Sequence, residues 1–254
     1  MTAKVKAVAE DGSLEDLDAS IRRQSYSAMA NEIELLGSLI LHINRGLAAL
    51  SGTKHDRGLN FLTGLLLNRA FNSLWRARED AVLGYAAECL TLCRSALEHW
   101  ATARWVEFHQ EAVNSYLWAI LAEVERPDGR LPSTDAMLKD LGEVGEAPLA
   151  MYDILSKFAH PKSIGLSWMM HFDEHSTYFH AGGNFDERGL STCLYFLTGV
   201  AQACLEPIAR LQNRMLEEVD PEWLQTGRDL SEQAGEFVRR VEDEIVSEAE
   251  KLAG

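Results

Sequence analysis

Residues 88–106 read ECLTLCRSALEHWATARWV, and the fold class turns on how this stretch is wound. At about 100° per residue, Leu83, Ala87, Leu90, Arg94, Glu98, Ala101 and Trp105 fall on one stripe. Val82, Ala86, Cys89, Cys93, Leu97 and Trp100 occupy the neighbouring sector, and Thr91, Ser95, His99 and Thr102 mark the polar side. Two adjoining apolar sectors with one polar edge predict a largely buried helix over about 80–109. Arg94 and Glu98 stand at the margin of its buried face, four residues apart, where they can touch. Buried charge is costly unless it is paired, so a structural ion pair and a pocket-facing pair are the two readings. The order, Arg before Glu, is the weaker one for helix stabilisation, so a local surface role explains the pair poorly.

The same periodicity extends outward in both directions. Ser13 with Asp16 forms an N-terminal cap signal, and Ile33, Leu36, Ile40, Ile43 and Leu47 follow helical spacing up to Gly52. After a polar break at 51–58, helices are expected over 61–78, 80–109 and 111–125. Pro127-Asp128-Gly129 is a strong turn signal. A short helix near 135–141 follows, then one that starts around Pro148, where proline is tolerated in a first turn, and runs to His160. Pro161 breaks it. Two short apolar runs around a turn then suggest a β-hairpin or extended excursion near 166–181. A long helix covers about 187–218, Pro221 interrupts, and an amphipathic helix spans 228–252 with Leu230, Phe237, Val241 and Ile245 on one face.

Composition narrows the function classes. The chain has 254 residues, 46% of them hydrophobic, enough for one large helical domain. Its 39 acidic and 24 basic residues give a formal charge of −15. So negative a surface repels phosphate backbones and anionic lipid, which disfavours nucleic acid and membrane partners. Cys89, Cys93, Cys193 and Cys204 form no CxxC pair, so they read as reduced core thiols rather than a zinc site. The first fourteen residues lack the apolar core of a secretory signal, and no apolar run reaches the roughly 18 residues of a membrane span. A cytoplasmic location is expected.

A second polar motif lies on the helix that ends at His160. Tyr152, Ser156 and His160 share one face, one turn apart, and would supply hydroxyl donors and a proton shuttle. The helix dipole favours imidazolium at that end, and a lone histidine there reads first as an ordinary cap. The expected binding seam is therefore Arg94, Glu98, Tyr152, Ser156 and His160, with Arg94, Glu98 and His160 as the catalytic candidates.

Residues 171–175, HFDEH, match the HxxEH metalloprotease spelling, but that chemistry needs both histidines on a helix, and this segment reads as strand and turn. A looser metal site would draw on His171, Asp173, His175 or His180. Surface histidines on a loop are the plainer reading. No Gly-rich phosphate loop, nucleophile elbow or dinucleotide fingerprint is present, so no cofactor is expected. The six tryptophans, Trp75, Trp100, Trp105, Trp118 and Trp168 among them, have no regularly interleaved basic residues and read as core or interface.

Two segments, ECLTLCRSALEHWATARWV (88–106) and YDILSKFAHPKSIGL (152–166), resemble a broad group of bacterial helical domains of unknown function. These are distantly similar to the HEPN superfamily and to abortive-infection proteins. The shared elements are Arg-Ser-x-x-Glu, here Arg94, Ser95 and Glu98, and Ser-x-x-x-His-Pro, here Ser156, His160 and Pro161. The resemblance covers roughly residues 60–215. It implies an α-helical bundle and a setting in stress or phage defence, with no agreed substrate. HEPN ribonucleases carry an Arg followed four to six residues on by a His, a pair that can hold a phosphate and move a proton. Arg94 with His99 and Arg104 with His109 have that spacing, although His99 sits about 140° round the wheel from Arg94.

The expectation is thus an all-α protein, a single helical bundle of about seven helices with the short excursion near 166–181. Residues 1–12 read as disordered, 13–218 as the bundle and 219–254 as a C-terminal amphipathic acidic helix. The leading reading is a soluble, non-catalytic helical-bundle protein in a stress or phage-defence setting, with an inter-helix polar site whose expected ligand, if it takes a small one, is a nucleotide or other anion near Arg94. The alternatives are a HEPN-type metal-independent ribonuclease, which would act as a homodimer, and a non-catalytic protein–protein interaction module using the acidic C-terminal helix.

Overall fold

The computed structural model describes residues 13–53, 58–121, 131–159, 170–172, 177–179 and 183–253. Eight α-helices occupy them: α1 (Leu14–Ala48), α2 (Leu59–Val82), α3 (Ala86–Phe108), α4 (Val113–Leu121), α5 (Thr134–Asp140), α6 (Glu143–Ala159), α7 (Glu187–Met215) and α8 (Pro221–Ala253). A 3₁₀ turn, Gln110–Ala112, links α3 to α4. The class is all-α. Two three-residue strands, Met170–Phe172 and Thr177–Phe179, pair antiparallel with Met170 opposite Phe179. So small a ladder adds no layer to the bundle, and the rest of the segment expected as a hairpin lies outside the described residues, as do residues 1–12 and the turn at 127–129.

α7 sits at the centre and touches α1, α2, α3 and α8. Leu190, Cys193, Leu194, Leu197, Ala201, Cys204, Ile208 and Leu211 repeat at three- and four-residue spacing along it and are all buried. By length and composition this helix would pass for a membrane span, contrary to the sequence expectation. More than half of the stretch is buried inside the bundle, as suits a core helix. Burial pushes the thiols of Cys89 and Cys93 well above their ordinary range and that of Cys204 up to about 12. All four cysteines are free and buried between α3 and α7. Since the thiolate is the reactive form, a disulfide-exchange reagent is expected to modify none of them in the native protein within minutes and all four after denaturation.

Three boundaries differ from the sequence reading for identifiable reasons. α2 runs to Val82, and a turn at Leu83–Tyr85, with Gly84 at φ +77°, separates it from α3. The apolar residues on both sides keep the period going and hide the break. Pro221 starts α8 rather than interrupting a connection: proline fits the first helical position, where its missing N–H costs nothing, and Asp220 Oδ1 accepts from Glu222 N at 2.9 Å. α6 begins at Glu143, one turn ahead of Pro148.

α1 is two helical arms joined at Met29, whose φ −142° and ψ 45° are not helical. The first arm lies on the α2–α3 hairpin, where Ser25 Oγ donates to the Val82 carbonyl at 2.9 Å. The second arm carries Ile33, Leu36, Leu39, Ile40 and Ile43 into the core. α8 packs on α1 and α7, and Ala234, Phe237 and Val241 are buried there. Its apolar face is therefore used inside the bundle.

Candidate functional site

α3 presents Arg94 and Glu98 one turn apart toward α6, which presents Tyr152. Arg94 Nη2 donates to the Tyr152 hydroxyl at 3.1 Å, and that hydroxyl donates to Glu98 Oε1 at 3.3 Å. Arg94 Nε lies 3.1 Å from the same carboxylate oxygen. The guanidinium carbon stands 5.2 Å from the centre of the Tyr152 ring, in cation–π range. The three side chains form a closed, charge-neutral circuit between two helices. A tertiary partner, rather than helix-local attraction, accounts for the Arg-before-Glu order.

The circuit is not fully satisfied. Arg94 Nε is buried, and although it is within ion-pair distance of Glu98 its N–H makes no hydrogen bond. Ser156, one turn beyond Tyr152, has a buried Oγ without a hydrogen-bond partner among the described residues. A hydroxyl such as that of Ser156 costs about 1–3 kcal/mol while it stays unpaired, whereas Arg94 Nε keeps its ion pair with Glu98. The Arg94 and Glu98 side chains are 22% and 36% exposed, so the circuit reaches the surface at one edge. His160, the fifth member of the expected seam, lies outside the described residues.

The backbone of His171 lies in the first short strand, while Asp173, His175 and His180 fall outside the described residues. Among the described residues no group of three His, Cys, Asp or Glu could hold a metal ion. His99 Nδ1 lies 2.6 Å from the Ser95 carbonyl oxygen, which can only accept, so that nitrogen carries the proton and the ring is tied back along its own helix. A shallow depression lined by Asp80 of α2 and by Ala87, Glu88, Thr91 and Leu92 of α3 lies elsewhere and carries two carboxylates. Burial and the nearby Glu88 raise the Asp80 carboxyl above its ordinary range, so this surface does not favour anions.

Arg104 was visible in the sequence only through its spacing to His109, and the structure gives it a different part. Its side chain is 2% exposed. Nη1 donates to Glu107 Oε2 at 2.5 Å, and Nη2 lies 3.3 Å from Glu206 Oε2 on α7. Glu107 Oε1 in turn lies 2.7 Å from Arg214 Nη1, and Arg214 Nε donates to Asn60 Oδ1 at 2.9 Å. This network ties α3, α7 and the start of α2 together. His109 turns away to stack on Trp105, with centroids 4.2 Å apart, and its Nε2 lies 2.8 Å from Asp140 Oδ2. The same Asp140 oxygen accepts from the Trp105 indole at 2.8 Å, which pins α5 to α3. In each Arg–His pair the two side chains engage different partners: Arg94 meets Tyr152 and Glu98 while His99 meets Ser95, and Arg104 meets Glu107 while His109 meets Trp105 and Asp140. The signal for a buried Arg104 was available: it continues the Cys93, Leu97, Trp100 sector by one more turn. Comparison with protein-family models, curated proteins and solved structures finds no match for this chain.

Proposed function

We propose that this protein is a helical binding module whose seam between α3 and α6 takes a small anionic ligand, a nucleotide or similar compound, seated on Arg94. The observation that supports the reading is a pair of buried polar atoms, Arg94 Nε on α3 and Ser156 Oγ on α6, that make no hydrogen bond among the described residues. Unsatisfied groups on facing helices are what a hydrogen-bonding ligand would satisfy. Of the five N–H groups of Arg94, one donates a hydrogen bond among the described residues, to Tyr152. A phosphate or carboxylate would take others side-on, with Glu98 and Tyr152 holding the guanidinium plane in place. A role in stress or phage defence is the setting that the motif resemblance suggests for such a module. The ribonuclease alternative is less favoured, because Arg94 and His99 engage different partners.

The test is thermal unfolding against a panel of nucleoside mono-, di- and triphosphates at roughly millimolar concentration. A ligand at about 100 times its Kd adds about 2.7 kcal/mol to the folded state, and a clear rise in Tm is expected for at least one compound. Arg94→Gln is expected to abolish the rise while changing the unliganded stability by about 1 kcal/mol or less, because the pair is part-exposed. A wild-type Tm that is flat across the panel would overturn the reading.

A further inference from the structure

His42 is an unusual residue to find inside the bundle. It lies on the second arm of α1, is 3% exposed, and stacks on Trp223 of α8 with ring centroids 4.6 Å apart and planes 11° apart. The joint around it is closely fitted. Trp223 Nε1 donates to the His42 carbonyl at 3.2 Å, and Gln212 Nε2 of α7 donates to the Gly46 carbonyl at 2.8 Å. A Cβ on Gly46 would stand 2.6 Å from the Trp223 ring, and one on Gly227 would stand 3.0 Å from His42 Nε2. Two glycines thus let the first turns of α8 approach α1.

The imidazole is held in its neutral form by this setting. Its Nε2 is buried with no partner among the described residues. The doubly protonated ring carries an N–H at Nε2, beside Gly227, with no acceptor among the described residues. Trp223 and Gly227 of α8 meet the ring, and Ile208 and Gln212 of α7 meet the adjoining turn at Gly46, all of them uncharged. Arg45 of α1 is the charged neighbour that acts on it. Burial first and Arg45 second hold the imidazole below its ordinary range, against a smaller opposing pull from the Trp223 backbone. The indole face offers an imidazolium some cation–π attraction, but no acceptor for its second N–H.

We propose that His42 is an acid-sensitive latch: when the ring takes up its second proton, the first turns of α8 lift from α1. The sign follows from linkage. The undocked ring binds its proton near the ordinary histidine value of about 6.5, and the docked ring binds it only at lower pH. Docking is therefore complete above about pH 6.5 and weakens below it, by up to about tenfold per pH unit.

Amide hydrogen exchange on the full chain reads this directly. After correction for intrinsic rates, amides of residues 221–232 are expected to lose roughly tenfold in protection between about pH 7.5 and about pH 5, while those of α2 and α3 hold. His42→Phe keeps the stack without the titration, and its α8 protection is expected to stay flat. Flat protection in the wild type, or an equal loss in wild type and His42→Phe, would overturn the latch. If the variant folds poorly, ring NMR of wild-type His42 decides: a ring titration that coincides with loss of the α8 amides supports the latch, and one that leaves those amides unchanged overturns it.

Discussion

Glu107→Leu is expected to lower the free energy of unfolding by about 3–5 kcal/mol, a fall in Tm of about 10 °C for a chain of this size. Glu107 is 6% exposed and divides its two oxygens between Arg104 and Arg214. Leucine would leave the buried Arg104 guanidinium with Glu206 as its remaining carboxylate, at 3.3 Å and half-exposed. The cost arises from an uncompensated charge in a desolvated place rather than from the lost attraction itself. That distinction is measurable. The double variant Arg104→Met/Glu107→Leu removes both charges, and it is expected to be more stable than Glu107→Leu alone, a departure from additivity that marks a coupled pair. A single variant that melts within about 2 °C of wild type would show that the network is solvated and of little structural worth.

Gly183→Ala is the second large effect, at about 3 kcal/mol. Residues 183–184 cross the α2–α3 turn where the chain approaches α7, and Asn184 N donates to the Gly84 carbonyl at 3.2 Å. A methyl group on Gly183 would run into the carbonyl oxygen of Leu83, and one on Gly84 into that of Asn184. Backbone atoms cannot swing aside as a flexible side chain can, so the crossing itself would have to open. Gly52 supplies the control. Its φ of +86° disfavours a side chain, yet nothing lies within 4 Å of the position, so Gly52→Ala is expected to cost only about 1 kcal/mol of backbone strain. Equal losses of Tm in the two variants would refute the crowding argument.

What could be read in advance follows from how local each feature is. The buried face of α3 repeats within a few turns of one helix, and the Arg94–Glu98 pair stands out against it. Tyr152 joined them because its own helix showed the same kind of polar interruption. The burial of Arg104 is legible from its place on the Cys93, Leu97, Trp100 sector, but its partners are not, because Glu206 and Arg214 lie about a hundred residues away in the chain. The Met29 kink carries no proline or glycine, so no residue announces it. Gly84 was hidden for the opposite reason: its apolar neighbours continue the pattern through the turn. His42 lies between Leu41 and Ile43 and looks like one polar position on an amphipathic helix. Its burial comes from Trp223, whose role depends on Pro221 starting a helix rather than stopping one.

The Trp223–His42 joint spans 181 residues and the Arg240–Glu32 pair spans 208. On the ribosome, at roughly 5–20 residues per second, the groove of α1 that receives Trp223 would stand open to solvent for about ten seconds or more. Over that interval Ile33, Leu36 and their neighbours can assemble with α2, α3 and finally α7, but the seam beside Gly46 has no native cover. A nascent chain of this topology therefore passes through a long-lived stage with one sticky, glycine-lined furrow. That stage, more than the finished bundle, is where a chaperone or a second nascent chain would find a foothold.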